Sequence, residues 1–350
     1  MSYRSSSSRH RLGVVTLLLL ALVAAPAALA DPRNLERPSH HLVKGFRNLD
    51  PSYDYTLVGR TAGLLRRAVE RRPERGSPPV LVPNDGAALR ANGSEPTVTW
   101  VGHATLLVQL EGVNILTDPI WSARAGPFGI GPKRLVPPGI RFADLPPIHV
   151  VLISHDHYDH LDARTVEELA RVHHPRFFVP LGLGAWLTAH GAQDVVELDW
   201  WQRRTYRGLT FVATPAQHGS GRTLTDQNLR LWSSWAVLGH PRRFFFAGDT
   251  GYTPALADIG RELGPFDVAA IPIGGYTAFG AHHPNHVSPE EGLRLFEDVR
   301  GRLLVPMHWG TFALNLEPFR EPPERLLAEA ARRGLASHVA VLRQGQSIHW

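Results

Sequence analysis

The feature that most constrains this chain is a dense group of metal-binding side chains directly after a short apolar segment. Val150–Ser154 has the composition of a buried strand, and three histidines and two aspartates lie within the next six residues. Imidazole and carboxylate are ligands that zinc and related ions prefer. Because side chains alternate along an extended chain, His155 and His157 point the same way. Asp159 and His160 lie at the turn that follows and are expected to face a second ion.

The same arrangement recurs further along the chain, where three predicted strands each lead within a few residues to another ligand-type side chain. They are Thr210–Thr214 before His218, Arg243–Ala247 before Asp249, and Leu303–Pro306 before His308. Seven ligands suit two ions, with three ligands for each ion and one shared carboxylate. The alternative, unrelated loop histidines, does not explain why spacing and strand context agree.

The pattern from Thr97 onward indicates an α/β sandwich, because short apolar runs alternate with helical stretches and turn residues. Helices are predicted at Ala163–His173 and Ser288–Val299. The second opens with a serine N-cap, a proline at the first helical position and a glutamate that completes a capping box. The remaining strands are predicted at Thr97–Val101, Thr105–Leu110, Val113–Thr117, Arg176–Val179, Trp235–Leu238 and Val268–Pro272, with a closing strand near Val339–Arg343.

The N-terminal part of the chain is predicted to be separate from this sandwich. Residues 1–30 combine three arginines, an uncharged apolar stretch and small residues before Asp31, which is the layout of a cleaved secretory signal peptide. An uncleaved membrane anchor is the alternative. Residues 31–96 are interpreted as an arm packed on a single catalytic domain at 97–350, with a helical candidate at Leu57–Arg72. The protein is therefore expected to be exported, either periplasmic or secreted.

Composition excludes several kinds of site. Cysteine is absent, which excludes disulfides, thiolate zinc sites, iron–sulfur clusters and a cysteine nucleophile. The formal net charge of +5 comes from 37 basic and 32 acidic residues, and removal of the three arginines in residues 1–30 leaves 34 against 32. So small a net charge gives no support for a nucleic-acid partner or a nuclease.

Motifs spread along the chain resemble those of a known family. The H-x-H-x-D-H element with separated His, Asp and His is similar to the metallo-β-lactamase superfamily, which implies an αββα sandwich with a dinuclear site. Longer motifs resemble one branch, the N-acyl-phosphatidylethanolamine-hydrolysing phospholipases D. These motifs are Phe46–Asn48, Trp100–Thr105, Leu116–Pro119, Gly131–Arg134, Glu197–Trp201, Phe244–Tyr252 and His308–Leu314. The resemblance implies a zinc phosphodiesterase that releases N-acylethanolamine and phosphatidic acid by attack of a metal-bridging hydroxide on phosphorus.

Position by position, the resemblance distributes the seven ligands over two zinc ions. It assigns His155, His157 and His218 to one ion, Asp159, His160 and His308 to the other, and Asp249 to both. His286 matches a family histidine close to the reacting phosphate, which implies that it donates a hydrogen bond or a proton there. A surface role is the alternative, because the surrounding loop is rich in histidine.

Further residues are expected around this centre. Asp118 and His103 are candidates to orient the ligating imidazoles, although Asp118 also fits an ordinary turn before proline. Asn285 stands where glutamine is expected in better-known members of the family, so its substrate contact is expected to be shorter or missing. An acyl-chain pocket is expected from aromatic residues, most of which belong to the core: Trp200, Trp201, Tyr276, Phe279 and Phe128.

Two other functions remain open on the sequence alone. One is a phosphorylated-sugar lactonase of the same superfamily, which uses the same metal set and lacks an apolar acyl cleft. The other is a non-catalytic periplasmic metal-binding protein. A dinuclear β-lactamase usually has a cysteine ligand, and an iron oxidoreductase usually has glutamate where His157 stands, so both are disfavoured. The expected partner is a phospholipid substrate, and peripheral membrane contact and a homodimer are left open.

Overall fold

The fold is built on two β-sheets, and every predicted strand except the closing one agrees with them to within a few residues. The first sheet contains β1 (Thr97–Gly102), β2 (Thr105–Leu110), β3 (Val113–Thr117), β4 (Val150–Leu152), β5 (Arg176–Pro180), β6 (Asp194–Leu198) and β15 (Ser347–His349). The second contains β7 (Arg203–Tyr206), β8 (Leu209–Thr214), β9 (Ser234–Leu238), β10 (Arg243–Phe246), β11 (Phe266–Pro272) and β14 (Gly301–Met307). The strand orders are β15-β1-β2-β3-β4-β5-β6 and β14-β11-β10-β9-β8-β7. A short separate hairpin pairs β12 (Thr277–Ala278) with β13 (Ala281–His282).

Helices follow or connect these strands. They are α1 (Ala87–Ala91), α2 (Ala163–Val172), α3 (Gly184–Ala189), α4 (Ala257–Leu263), α5 (Pro289–Asp298) and α6 (Glu321–Arg332). The predicted start of α5 is confirmed, because the Ser288 hydroxyl accepts the backbone N–H of Glu291 and the Glu291 carboxylate accepts the backbone N–H of Ser288. Two backbone N–H groups that the helix itself cannot pair are thereby satisfied.

Neighbouring residues of one strand face different apolar clusters, which gives the four-layer order helix–sheet–sheet–helix. Leu106 and Phe178 belong to the cluster that both sheets share, together with residues of α4, α5 and α6. Their neighbours Leu107 and Phe177 belong to a second cluster with residues of α1, α2 and α3. Successive side chains of a strand point to opposite faces of the sheet, so this alternation between two clusters shows that both faces are covered. The predicted αββα sandwich is confirmed.

Strand direction brings the ends of several strands to one edge of the sandwich. In the first sheet, β3 and β4 are parallel. In the second, β10, β11 and β14 are parallel, and β8 has the direction of β10 because each pairs antiparallel with β9. The residues that follow β4, β8, β10 and β14 are those predicted to bind metal, so the topology brings together segments that are far apart in sequence.

The predicted closing strand at Val339–Arg343 is wrong. This segment makes a single bridge, between Val339 and Leu304 of β14. The chain then leaves the second sheet, and the Gly345 backbone N–H donates to the Trp100 carbonyl of the first sheet. Ser347–His349 forms the edge strand instead and pairs antiparallel with β1. An apolar run that crosses from one sheet to the other has strand-like composition without a strand partner.

The computed structural model describes residues 38–51, 76, 78–278, 281–312, 314 and 317–350. The signal-peptide prediction, the helical candidate at Leu57–Arg72 and Phe279 lie outside the described residues. Contacts group Ser39–Trp350 into one compact unit. None of the helices in the described part of the chain is both long enough and apolar enough to cross a membrane.

Candidate metal centre

Three imidazoles meet at this edge and form the first of two ligand clusters, which we call the imidazole cluster. His155 and His157 follow β4, and His218 follows β8 of the facing sheet. The Nε2 atom of His155 lies 2.8 Å from Nδ1 of His157, and that Nδ1 lies 3.2 Å from Nε2 of His218. Three ring nitrogens this close together have the composition and spacing of one side of a zinc site.

The second group, which we call the carboxylate cluster, contains Asp159, His160, His308 and Asp249. The Nε2 atoms of His160 and His308 each lie 3.1 Å from Oδ2 of Asp249, and they lie 3.4 and 3.5 Å from Oδ2 of Asp159. Oδ2 of Asp249 is also 3.8 Å from Nε2 of His218 in the imidazole cluster. Asp249 therefore lies between the two clusters, where a bridging ligand is expected.

Asp118 lies behind both clusters and orients one imidazole in each. Its Oδ2 is 2.7 Å from Nδ1 of His160. It also accepts the backbone N–H and the hydroxyl of Ser154, and the same hydroxyl oxygen is 2.9 Å from Nδ1 of His155. When the Nδ1 atoms donate in these hydrogen bonds, each Nε2 is the nitrogen that can bind an ion at the centre. This is the placement expected of an orienting residue, and its effect on metal binding stays a prediction.

His103 contacts the carboxylate cluster from the turn between β1 and β2. Its Nε2 is 2.9 Å from Oδ2 of Asp159, and its backbone carbonyl accepts the N–H of His308. Burial lowers the pKa of His103 to about 3, so the ring is neutral near pH 7 and donates its N–H to the carboxylate. The same Nε2 is near enough to the cluster atoms to be a ligand, but this hydrogen bond favours the orienting role.

The backbone at three of these residues has positive φ, with values of 55° at His103, 35° at Asp118 and 61° at His308. Residues other than glycine rarely adopt this region, and its cost is of order 1 kcal/mol per residue. Each of the three ends or connects a strand at the metal edge. The tight turns direct the side chains inward, where an extended continuation of the strand would carry them past the centre.

Asn48 and Ser154 are contributors that the sequence analysis did not single out. The Asn48 side-chain amide donates to the carbonyl of His218 at 2.8 Å and accepts its backbone N–H at 2.9 Å. The Nδ1 of His218 is 2.9 Å from the carbonyl of Asn285. Asn285 thus contacts the centre through its backbone, and substrate contact by its side chain stays a prediction. The available signal for Asn48 was its place in the Phe46–Asn48 motif.

The charge and hydrogen-bonding state of the centre suit the binding of metal cations. The pKa values of Asp159 and Asp249 are well below the usual range although burial acts in the opposite direction, because imidazoles surround both carboxylates. Nε2 of His160, Nε2 of His308 and Oδ1 of Asp249 are buried and make no hydrogen bond within the described part of the chain. Buried nitrogen and oxygen atoms without hydrogen-bond partners are costly unless a cation occupies the space between them.

Another His/Asp group does not show this property. His40 and His41 each place Nε2 within hydrogen-bond distance of a different oxygen of Asp199, at 2.7 and 2.8 Å. The His40 ring also stacks on Trp200, with 4.2 Å between ring centroids. These contacts attach the described segment 38–51 to the end of β6, and hydrogen bonding alone accounts for them.

A family model described as a beta-lactamase superfamily domain matches residues 113–309, which is more than half of the chain and includes every residue of both clusters. The chain belongs to the metallo-β-lactamase superfamily. The family predicted from the motifs is therefore confirmed. The protein is a metal-dependent hydrolase of this superfamily, with histidine and aspartate clusters suited to metal binding.

Three relatives illustrate how far the similarity extends. An uncharacterised protein of Mycobacterium tuberculosis is 42% identical and aligns with 99% of this chain and 95% of its own length. The N-acyl-phosphatidylethanolamine-hydrolyzing phospholipase D 1 of Caenorhabditis elegans is 43% identical over 65% of this chain and 68% of its own length. The structure of a metallo-hydrolase from Ignicoccus hospitalis matches with a TM-score of 0.57 and 24% identity, covering 73% of this chain and 99% of that protein.

The expected aromatic pocket residues have different environments. Trp200 is buried in a small core cluster, and its indole N–H donates to the carbonyl of Trp232. Tyr276 is also buried, with its hydroxyl donating to Glu321. Phe128 is fully exposed, and Trp201 is 37% exposed. Core packing thus accounts for Trp200, and substrate contact by Tyr276 stays a prediction.

Proposed function

We propose that this member of the superfamily is a zinc-dependent phosphodiesterase that hydrolyses N-acyl-phosphatidylethanolamine-type phospholipids to N-acylethanolamine and phosphatidic acid. The observation that carries the proposal is the 43% identity to the C. elegans enzyme named for this reaction. The alignment covers 65% of this chain, and motifs of the metal edge such as Trp100–Thr105 and His308–Leu314 resemble the same family. The metal set alone does not choose among lactams, lactones and phosphodiesters.

In this proposal the two clusters would hold two zinc ions, and Asp249 would be a ligand common to both. When bound, zinc polarises a phosphodiester oxygen and makes water an effective nucleophile near neutral pH. The chain itself fixes the ligands before substrate arrives. Asp118 holds His160 directly and His155 through Ser154, while the Asn285 carbonyl holds His218. Ligands that need no reorganisation preserve the geometry that hydrolysis requires.

We propose that His286 contacts the reacting phosphate. Its Nδ1 lies 3.8 Å from Oδ2 of Asp249, its side chain is 14% exposed, and that nitrogen makes no hydrogen bond within the described residues. Burial lowers the pKa of His286 well below 6.5. The ring is therefore neutral near pH 7, and we assign it a hydrogen bond to a phosphate oxygen in preference to proton transfer.

A small cavity with both polar and apolar walls lies beside the carboxylate cluster. It is bordered by His103 and His308 on the metal side, and its other walls include Phe312, Leu314 and Phe319. Apolar side chains next to a polar centre are compatible with a substrate that joins acyl chains to a phosphodiester. The substrate panel described below separates a lipid from a phosphorylated-sugar lactone.

The test is product analysis with the purified zinc-loaded protein in water enriched in oxygen-18. N-acyl-phosphatidylethanolamine in micelles is compared with a soluble phosphodiester and a phosphorylated-sugar lactone. We expect phosphatidic acid to carry the label and N-acylethanolamine to lack it, because water attacks phosphorus. His286→Ala should lower turnover by about ten- to a hundredfold and leave the zinc content intact. Faster turnover of the lactone or the soluble diester would refute the lipid assignment and leave a metal-dependent hydrolase.

Export is a separate proposal that rests on residues 1–30. We propose that the mature chain begins at Asp31 and is exported. N-terminal sequencing of the exported protein tests this, and an intact Met1 in the membrane fraction would contradict it.

A further inference from the structure

The connection between β3 and β4 contains a small hairpin with an exposed apolar tip. Arg124 and Lys133 form an antiparallel bridge, and the Ala125 N–H donates to the carbonyl of Pro132 at 3.0 Å. We call residues 124–133 the tip hairpin. Phe128 at its end is 100% exposed, and Ile130 is 70% exposed. Large apolar side chains that a paired backbone holds in solvent have no role in the core and indicate a contact surface.

The charged side chains of the tip hairpin itself have one sign. Residues 124–133 contain two basic residues and no acidic residue. Both of them, Arg124 and Lys133, are exposed and flank the apolar tip on the two strands of the hairpin. Exposed apolar side chains within a basic surround match an interface whose interior is hydrocarbon and whose surface is anionic.

The base of the tip hairpin belongs to the wall of the metal centre. The Leu135 N–H donates to the carbonyl of Thr311 at 2.8 Å, and the Arg134 guanidinium lies 4.5 Å from the ring centroid of Phe312. The Phe312 ring is in turn 5.2 Å from that of His103. The segment that contains Thr311 and Phe312 directly follows His308 and borders the cavity described above. The tip is therefore attached to the segment that borders the cavity.

We propose that the tip hairpin inserts Phe128 and Ile130 into anionic phospholipid membranes and brings the cavity to the lipid surface. The proposal rests on the proposed function, because it supplies the route by which a membrane lipid reaches the site. Two side chains are too small for a stable protein interface, which buries about 800 Å² on each partner. They suffice for reversible insertion into lipid, where each apolar side chain contributes independently.

The test uses local probes, which the absence of cysteine in the natural chain permits. An environment-sensitive fluorophore is attached to Ile130→Cys and, as the matched control, to Val172→Cys. Val172 is 46% exposed at the end of α2, the helix that leads away from the metal edge. Phosphatidylcholine vesicles with and without phosphatidylserine are added to the zinc-loaded full chain. We expect a blue shift and quenching by brominated lipid at position 130 only, strongest with phosphatidylserine.

A functional arm separates this inference from the proposed function. Phe128→Ser/Ile130→Ser should lower cleavage of vesicle phospholipid by about ten- to a hundredfold, because two buried apolar side chains are lost. Cleavage of soluble bis(p-nitrophenyl) phosphate should stay within about twofold of the wild-type rate. Lys133→Ser should weaken the response to phosphatidylserine about fivefold.

Several results would overturn the insertion. They are a probe at position 130 that stays in water, equal shifts at both positions, or a shift that follows protein concentration without lipid, which would indicate self-association. Insertion at position 130 without any phospholipid cleavage would contradict the proposed function and leave the membrane contact standing.

Discussion

The imidazole cluster and the carboxylate cluster occupy the same edge of the sandwich but are supported in different ways. The imidazole cluster is held by neutral groups, namely the Ser154 hydroxyl and the backbone carbonyl of Asn285. The carboxylate cluster is held by the buried side chains of Asp118 and His103. The carboxylate cluster thus contains two negatively charged ligands, Asp159 and Asp249, and a third carboxylate, Asp118, supports it. The imidazole cluster has no carboxylate of its own.

This difference changes how strongly protons compete with metal. Burial lowers the pKa of His218 to about 4, and it lowers that of His155 well below 6.5. Burial acts in the same direction on His308, but the carboxylates of Asp249 and Asp159 outweigh it and raise the pKa of His308 to about 9. The imidazole cluster is therefore ready to bind an ion at neutral pH, whereas the carboxylate cluster must first release a proton.

The largest expected effect comes from removing the residue that the two clusters share. Asp249→Ala should weaken metal binding at both clusters and lower activity about a thousandfold or more, since several kcal/mol of charge stabilisation are lost. Metal content after dialysis and turnover measure this. Asp194→Ala is the control, because Asp194 pairs with Arg176 at the opposite edge. Normal metal content in Asp249→Ala would show that the carboxylate does not bridge.

Removal of one ligand from each cluster should separate the two sites. His308→Ala is expected to leave about one ion per chain, bound by the imidazole cluster, and to lower activity by roughly two to three orders of magnitude. His218→Ala should empty the imidazole cluster instead. Cobalt substitution distinguishes the remaining sites, because three imidazoles with one shared carboxylate and two imidazoles with two carboxylates give different visible spectra. Identical spectra for the two variants would contradict the separation.

Asp118 should affect both clusters, and Ser154 only one. Asp118→Ala is expected to weaken metal affinity about 10–100-fold, the usual effect of removing a group that orients a ligating imidazole. Ser154→Ala removes the link to His155 and one hydrogen bond to Asp118, but the backbone N–H of residue 154 and His160 still hold that carboxylate. The carboxylate cluster should therefore keep its affinity. Competition with a chelator measures both constants. Equal losses at both clusters in Ser154→Ala would show that the hydroxyl holds Asp118 itself in place.

Acid should release metal from the carboxylate cluster first. A ligating imidazole must be unprotonated, so a proton competes with metal below the pKa of about 9 at His308 but only below about 4 at His218. Affinity at the carboxylate cluster should therefore fall by up to about tenfold per pH unit as the pH drops from 9. Protonation of His218 should cause no such fall at the imidazole cluster above pH 5. Titrations followed by calorimetry at several pH values check the order, and simultaneous loss from both clusters would contradict it.

The seven predicted ligands could be recognised from the sequence because each one follows an apolar strand within a few residues. A strand such as β14 is recognised from its own apolar residues, and His308 directly follows it. The ends of parallel strands lie at the same edge of a sheet, and this brings the ligand residues close together. Exposure carries no comparable signal. Phe128 was expected to line a pocket, but nothing in the adjacent residues distinguishes a buried aromatic side chain from one at a hairpin tip.

Contacts between residues far apart in sequence could not be predicted either, because no local pattern marks them. Asn48 and His218 are 170 positions apart, and no periodic pattern links them. The closing strand was misplaced because its partner depends on where the chain crosses between sheets. Hydrogen bonds of this kind are chosen by tertiary geometry, which single-sequence patterns do not encode.

The smallest effect expected here concerns that contact. Asn48→Ala removes the two hydrogen bonds to the backbone of His218, which should cost about 1–3 kcal/mol of unfolding free energy. The substitution should weaken metal binding a fewfold at the imidazole cluster only. Asn48 bonds to the backbone of His218, which belongs to that cluster. Asn84→Ala is a matched control, since its amide donates to the Gly345 carbonyl and accepts the Gly86 N–H far from His218. Both variants should lose similar stability in denaturant titrations, but only Asn48→Ala should change metal affinity. If the two variants behave alike, the segment 38–51 supports the fold and does not position the ligand.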